Sequence, residues 1–433
     1  MISRITLASI SVVILTGLVW PTNARAEFSV PAGFVDQAIV GGVPEPTAFD
    51  WLPGGDLLIT TQRGVLFRWA GAGGAQPVLD LSGAVCAGGE MGLLGIAVDP
   101  AFQSGSPFIY LYYTHRIEGR AGCDAASRAN RVSRFTIDGS GGVGGETVLI
   151  DNIAAPGGNH NGGDLQFDRN GLLYVSVGDG GSTPETARSL ASLNGKILRI
   201  DRHGGIPGGN PFTGAGTESC RAAGRSATGQ TCQEIYATGL RNPFRIAIDP
   251  DGGGEFFIND VGAGNWEEVD AGVSGADYGW NVREGPCLTG SSSNCPQPSG
   301  FVEPIHAYSY ATGCRIITGG AFVPNAAGWP DGLADDYLFA DLACTTLFAL
   351  DTATGAVSRF ATGAGAVHLR FGGDGALYYT TYENGGQVRR IDETTKDTCK
   401  KKKKKGKNKK GKAKKNSCKK GNGGKGNDER KRR

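Results

Sequence analysis

One phrase recurs through this chain and restricts its fold more than any bulk property does. An apolar or aromatic residue is followed by an Asp-Pro or glycine-rich turn and then by a β-rich run. The phrase stands at FDWLPGGDLLITT from Phe49, IAVDPAFQSGSPFIYLYYT from Ile96, LQFDRNGLLYVSVGD from Leu165, IAIDPDGGGEFFIND from Ile246 and LRFGGDGALYYTTY from Leu369. Three copies lead into a second strand: GVLFRW at 64–69, GKILRID at 195–201 and GQVRRID at 386–392. Each is a turn-linked antiparallel unit, in which the Asp- or Asn-Gly corner supplies positive φ and β-branched or aromatic side chains fill a pleated face. One unit cannot bury both of its faces. Copies spaced irregularly, about 50–80 residues apart, therefore predict sheets arranged radially as blades. The expected fold class is all-β, a β-propeller of about six blades. A β-sandwich is the competing architecture, and copies at both ends of the body argue against it. Glycine fills 71 of 433 positions without collagen's every-third register, which suits many tight turns.

The two ends differ from this body. Arg4, the uncharged stretch from Ile5 to Trp20 and the triplet Ala24-Arg25-Ala26 read as a secretory signal over 1–26, with cleavage before Glu27. That stretch is short for a bilayer, and no second long apolar run follows, so the propeller, 27–395, is expected to be secreted or cell-envelope associated and not membrane-spanning. Ten cysteines without a C-x-x-C pair favour disulfides over a zinc knuckle. Sequential pairing is the expectation: 86 with 123, 220 with 232, 287 with 295, 314 with 344 and 399 with 418. Residues 396–433 hold 20 Lys or Arg against three acids, a net of +17 inside a chain of net +2. The remainder therefore carries 24 basic and 39 acidic residues, a net of −15. A nucleic-acid partner inferred from the whole-chain charge would mistake a tail for a surface. The Lys-rich tail is expected to be disordered and to attach electrostatically to an anionic cell-surface polymer, the alternative being a merely solvated segment.

Three stretches can carry chemistry. In GGNHNGGD, residues 157–164, His160 projects from a glycine-rich loop just ahead of the strand Leu172–Val177. A histidine there can accept a proton near neutral pH, with Asp179 of VGDGG as the acid to orient it; bonding to its own loop is the alternative. Arg241 and Asn242, in YATGLRNPFRIAIDP, open another blade strand, and the guanidinium either grips carboxylates or bonds nearby carbonyls. NDVGAGNWEEVDAG offers acids and exposed backbone to a hard cation, or simply turn chemistry. His115, His203, His306 and His368 stand apart and are expected to be surface or satisfied polar residues. Trp266 and Trp280 either form a sugar platform or pack blades. Phosphate-loop, zinc-protease, serine-hydrolase and dinucleotide signatures are absent from the sequence.

GGEMGLLGIAVDPAF, NHNGGDLQFDRNGLLYVSVGDGG, NGKILRID, IYATGLRNPFRIAIDP, DVGAGNWEEVDAG and ADYGWNVREG, in this order between Phe34 and Asp392, resemble the soluble glucose/sorbosone dehydrogenase family, and most closely its hedgehog-interacting-protein-like branch. The resemblance implies a six-bladed propeller that holds pyrroloquinoline quinone (PQQ) and calcium at its mouth and oxidises the anomeric hydroxyl of a sugar, passing electrons to an external acceptor. It implies His160 as general base with Asp179 orienting it, Glu90, Arg241 and Asn242 as cofactor contacts, and the carbonyls of Gly262 and Ala263 as calcium ligands. It also exposes departures. Pro324 stands where the family's quinone enzymes carry a basic residue after the TGG phrase. Ala343, Cys344 and Thr345 replace basic side chains in the following strand, and Asn159 replaces an acid, leaving Arg241, with Arg315 as a possible substitute, to pair the quinone's carboxylates. The competing function is a non-catalytic extracellular propeller that binds glycan or protein. A lactonase would need a second set of acids, which the sequence does not offer. Deleting residues 396–433 is expected to abolish salt-dependent retention on the cell surface, measured by fractionation; unchanged retention contradicts the attachment reading.

Overall fold

The computed structural model describes residues 28–296 and 299–394. The expected signal segment, the Lys-rich tail and the pairing of Cys399 with Cys418 lie outside the described residues.

Six four-stranded antiparallel sheets make the propeller. Blade one is Pro46–Trp51, Leu57–Thr61, Val65–Trp69 and Gln76–Asp80, and blade two is Leu93–Val98, Phe108–Arg116, Arg128–Ile137 and Val143–Ala154. Blade three comprises Leu165–Phe167, Leu172–Val177, Lys196–Asp201 and Ile235–Thr238; blade four comprises Pro243–Ile248, Phe256–Asp260, Trp266–Ala271 and His306–Ser309. Blade five runs Ile317–Phe322, Tyr337–Asp341, Thr346–Leu350 and Val357–Thr362. Each recurring phrase is the innermost strand, its turn and the second strand of one blade. Blade five escaped the pattern because residues 323–336, with Pro324, Trp329 and Pro330, replace its short corner.

Blade six closes the ring with strands from both ends of the chain. Ala366–Phe371, Leu377–Thr381 and Gln387–Glu393 are completed by the N-terminal strand Phe34–Gly41, with Phe34 opposite Glu393 and Gly41 opposite Gln387. Asp36, almost fully buried, accepts bonds from Arg389 Nη2 at 2.6 Å and Nε at 3.0 Å and from Tyr379 Oη at 3.2 Å. The core lies between blades. Tyr112 of blade two packs with Leu165 and Val175 of blade three, and Leu338 of blade five with Leu369 and Tyr379 of blade six. All four expected disulfides within the described residues form: Cys86–Cys123, Cys220–Cys232, Cys287–Cys295 and Cys314–Cys344. Among the described residues no helix is long and apolar enough to cross a membrane.

Strands alternate in direction, so loops entering each innermost strand and loops joining second to third strands emerge at one end. His160, Asp179 and the Gly262 turn therefore share a face. Arg389→Ala leaves a buried carboxylate unpaired at the ring closure, and the urea midpoint is expected to fall by the equivalent of roughly 3 kcal/mol; a change within experimental error contradicts this role.

Candidate functional site

The loop ahead of blade three puts His160 in the left-handed region, φ +51°, unusual for a side chain with a Cβ. Glycine makes the close packing possible: a Cβ on Gly178 would stand 2.0 Å from the carbonyl oxygen of His160. Blade two then fixes the loop. Tyr112 donates to the carbonyl of Asn161 at 2.8 Å, and Asn130 donates to the Asn161 side chain at 3.0 Å.

The imidazole is held at one nitrogen. His160 Nδ1 lies 2.8 Å from Asp179 Oδ1, which also accepts from the backbone N–H of Gly181 at 2.8 Å. The other Asp179 oxygen accepts from the indole N–H of Trp280 at 2.7 Å. Burial alone would raise the pKa of Asp179, but His160, Gly181 and Trp280 outweigh it and keep the carboxyl below its usual range. An ionised Asp179 selects the tautomer with hydrogen on Nδ1. Nε2 then carries the lone pair, and it makes no hydrogen bond among the described residues. The side chain retains 11% exposure.

Glu90 ties this pair to blade four. Its Oε2 accepts from the His160 backbone N–H at 2.8 Å and from Asn242 Nδ2 at 3.1 Å, while Asn242 Oδ1 accepts from Gly162 N–H at 3.1 Å. Glu90, Gly162 and Asn242 line a central cavity of about 240 Å³, so His160 stands just behind its wall. Phe244, Ile316, Leu342 and Val367 form an apolar side. Arg245 also lines it, but four of its five N–H donors are spent on the carbonyls of Phe244 at 3.1 Å, Val367 at 3.2 Å, Thr47 at 2.8 Å and Leu94 at 3.3 Å.

Beside this cavity, Arg241 lies with its guanidinium 5.5 Å from the Trp280 ring and donates to the carbonyl of Val261 at 2.9 Å. Its Nε is buried without a partner. The backbone N–H groups of Arg241 and Asn242 are both taken by Asp260, at 2.8 and 2.6 Å, and burial pushes that carboxyl up to about 6. In the Gly262 turn, the N–H groups of Ala263, Gly264, Asn265 and Trp266 all point to Glu284 Oε1, at 2.7–3.1 Å. These bonds hold Glu284 below the usual carboxylate range against the opposing effect of burial. The carbonyls of Gly262 and Ala263 receive no hydrogen bond among the described residues.

His160, Asp179, Glu90, Arg241, Asn242, Gly262 and Ala263 are thus brought to one end of the ring. Several expectations need correction. Pro324 lines a separate hollow with Ile248 and Phe371, because the innermost strand of blade five runs away from the mouth. The wall position is held by Ile316 and Thr318 instead. Cys344 is locked to Cys314 as expected, whereas Arg315 is exposed and does not line the cavity, so it does not substitute for the missing cations. His368 is neither a surface residue nor a satisfied one: it is 1% exposed on the axis with both ring nitrogens unpartnered. The sequence assigned no role to Glu284 or Arg245, counted Asp260 only among the acids of NDVGAGNWEEVDAG, and offered Trp280 as a sugar platform or packing residue with no polar role.

The Glucose / Sorbosone dehydrogenase family profile matches residues 43–390. The HIPL2 protein of Arabidopsis thaliana is 27% identical over 333 residues, covering 64% of this chain and 46% of that protein. Aldose sugar dehydrogenase YliI of Escherichia coli K12 is 32% identical over 262 residues, 59% of this chain and 64% of that one. The chain therefore spans less than two thirds of either relative. The PQQ-bound aldose sugar dehydrogenase of Streptomyces coelicolor superposes with a TM-score of 0.64 at 22% identity, covering 84% of this chain and 99% of that one, a likeness of fold.

Replacing Glu90 by alanine strands two N–H donors. Hydrogen exchange across residues 157–163, followed by mass spectrometry, is expected to speed up about tenfold in Glu90→Ala and to change little in Glu90→Gln; equal exchange in both contradicts the clamp.

Proposed function

The chain belongs to the glucose/sorbosone dehydrogenase family, and from that premise we propose that it is a secreted aldose dehydrogenase dependent on calcium and PQQ. The observation that carries this reading is the free Nε2 of His160, whose ring is oriented from the opposite nitrogen by an ionised Asp179. Four disulfides support an oxidising compartment.

The donor set fits the two groups at one edge. Two carbonyls freed because Glu284 takes the turn's N–H groups suit a hard divalent cation. The orphaned Nε of Arg241 suits one anionic oxygen of the quinone. Gly262 and Ala263 would hold calcium, and Arg241 and Asn242 would hold the quinone. When bound, calcium polarises a quinone carbonyl and the quinone accepts the hydride.

The chain's own residues then have defined tasks. Nε2 of His160 takes the proton of the anomeric hydroxyl as the C–H electron pair leaves with hydrogen, giving the lactone. Asp179 stabilises the imidazolium so formed, and the Trp280 indole keeps Asp179 from turning away. Glu90 holds the backbone beneath the ring. The opposite wall supplies no cation to the remaining quinone carboxylates, since Ile316, Leu342 and Val367 are apolar and Arg245 is already bonded. That wall is the observation that favours the second reading, a propeller binding glycan or protein without redox chemistry.

With calcium and PQQ, dye-linked oxidation of aldoses is expected, and His160→Ala should lower kcat by about 10²–10⁴ with the fold intact by circular dichroism at the assay temperature. Leu342→Lys should tighten PQQ in calorimetry. Absence of any PQQ binding to wild type at micromolar protein favours the binding module.

A further inference from the structure

A hollow of about 220 Å³ lies at the end of the ring axis opposite the mouth. Ala247 and Ile248 of blade four, Ala321 and Phe322 of blade five, and Leu369 and Phe371 of blade six make it apolar. The drawn-out corner of blade five builds its rim. There the Asn325 N–H donates to Asp251 of the blade-four corner at 2.6 Å, and the Trp329 indole donates to the carbonyl of Gly375 of the blade-six corner at 3.1 Å. Only two side chains on the hollow are polar, and no acid lines it. Gln166 gives its amide to the carbonyl of Ile246 at 3.3 Å. Arg370 is different: its Nη1 meets Asp50 at 2.7 Å, but Nη2 is buried without a partner. Among the described residues only Arg241 and Arg370 keep such a guanidinium nitrogen, one towards each end of the axis.

The charges around Arg370 decide what its free N–H can take. Asp50 and Asp164 oppose Arg370 and Arg245, and His368 beside them is held neutral. The set sums to zero. A bound anion would add an unpaired charge, whereas an uncharged oxygen acceptor satisfies the N–H without one. An apolar hollow with one convergent donor therefore suits a single flat ring bearing a carbonyl. Position adds a second constraint. Arg245, Thr318 and Val367 line the mouth cavity, and Ala247, Gly320 and Leu369, each two residues further along the same strands, line this hollow. Two residues of strand rise by about 7 Å. The two spaces thus share a floor one residue thick, which electrons can cross and a sugar cannot.

We propose that this hollow binds a small uncharged quinone, the external electron acceptor of the sugar oxidation. The binding site stands on the hollow itself, and its role as acceptor site rests on the dehydrogenase reading. The net reaction balances. The hemiacetal gives up two electrons and releases two protons at the mouth to become the lactone; the quinone takes up two electrons, and two protons from water at the open far face, to become the hydroquinone.

The probe is duroquinone, tetramethyl-1,4-benzoquinone. Calorimetry on the full chain without calcium or PQQ is expected to show one site, weakened about tenfold by Arg370→Lys, which keeps a charge beside Asp50 but loses the second N–H branch. On duroquinone binding, hydrogen exchange should slow at 247–251, 320–325 and 369–372 and stay unchanged at 157–163, a localisation that needs no variant. No binding, or protection only around His160, overturns the site, and binding of benzoate in place of duroquinone overturns its uncharged character. With calcium and PQQ, the KM for duroquinone is expected to rise about tenfold in Arg370→Lys while the KM for the aldose holds; an unchanged duroquinone KM overturns the acceptor role. Duroquinone bound at the far end, with no sugar oxidation under any acceptor, supports the site and counts against the dehydrogenase reading alone.

Discussion

The 2.8 Å contact between His160 Nδ1 and Asp179 Oδ1 is what the rest of this molecule serves. A histidine with φ +51° does not hold that conformation on its own, and left-handed backbone on such a residue costs on the order of 1 kcal/mol or more. Here it is over-determined from three sides. Glu90 arrives from the segment before blade two, Asn242 from blade four through the same carboxylate, and Trp280 from the far side of blade four through Asp179. Each is contributed by a different stretch of sequence, so the geometry exists only when the ring is closed.

Closure raises a second problem, which the axis solves with polar groups. Six innermost strands converge where side chains have little room, and their carbonyls need donors. Arg245 supplies four bonds there and is buried completely, so burial pulls its pKa down, with Asp164 opposing that shift. His368 lies nearby, 4.0 Å from Asp164, and burial with the adjacent Arg245 and Arg370 holds it neutral. A cation that stitches strands together is not free to grip a ligand. This is why counting basic residues around the mouth gives a different answer from asking which of their N–H groups are already spent: Arg241 keeps a buried Nε without a partner, whereas Arg245 spends four of its five N–H groups on backbone carbonyls.

The sequence revealed five blades because their corners are short and built from Asp, Asn and Gly, whose conformational preferences are local. The blade it hid has its corner drawn out over residues 323–336. The same logic sorts the site. His160 stood out through its glycine neighbours and Arg241 through its place before a strand, both readable within ten residues. Trp280 reaches Asp179 across 101 positions and leaves no local signature. Pro324 was misplaced because a strand's direction decides which end a following residue occupies, and direction is not written in a motif. The four disulfides were legible because each spans 37 residues or fewer and joins neighbouring loops of one face or insertion.

The central claim is that Asp179 fixes His160 in one tautomer and leaves Nε2 as the free base. Long-range proton–nitrogen NMR on protein labelled with ¹⁵N-histidine reads this directly, without cofactor or substrate. At a pH where the ring is neutral, the account predicts that Nδ1 of His160 carries the hydrogen and Nε2 has the shift of an unprotonated nitrogen. A neutral ring with hydrogen on Nε2 contradicts it, since such a ring has no lone pair facing the sugar.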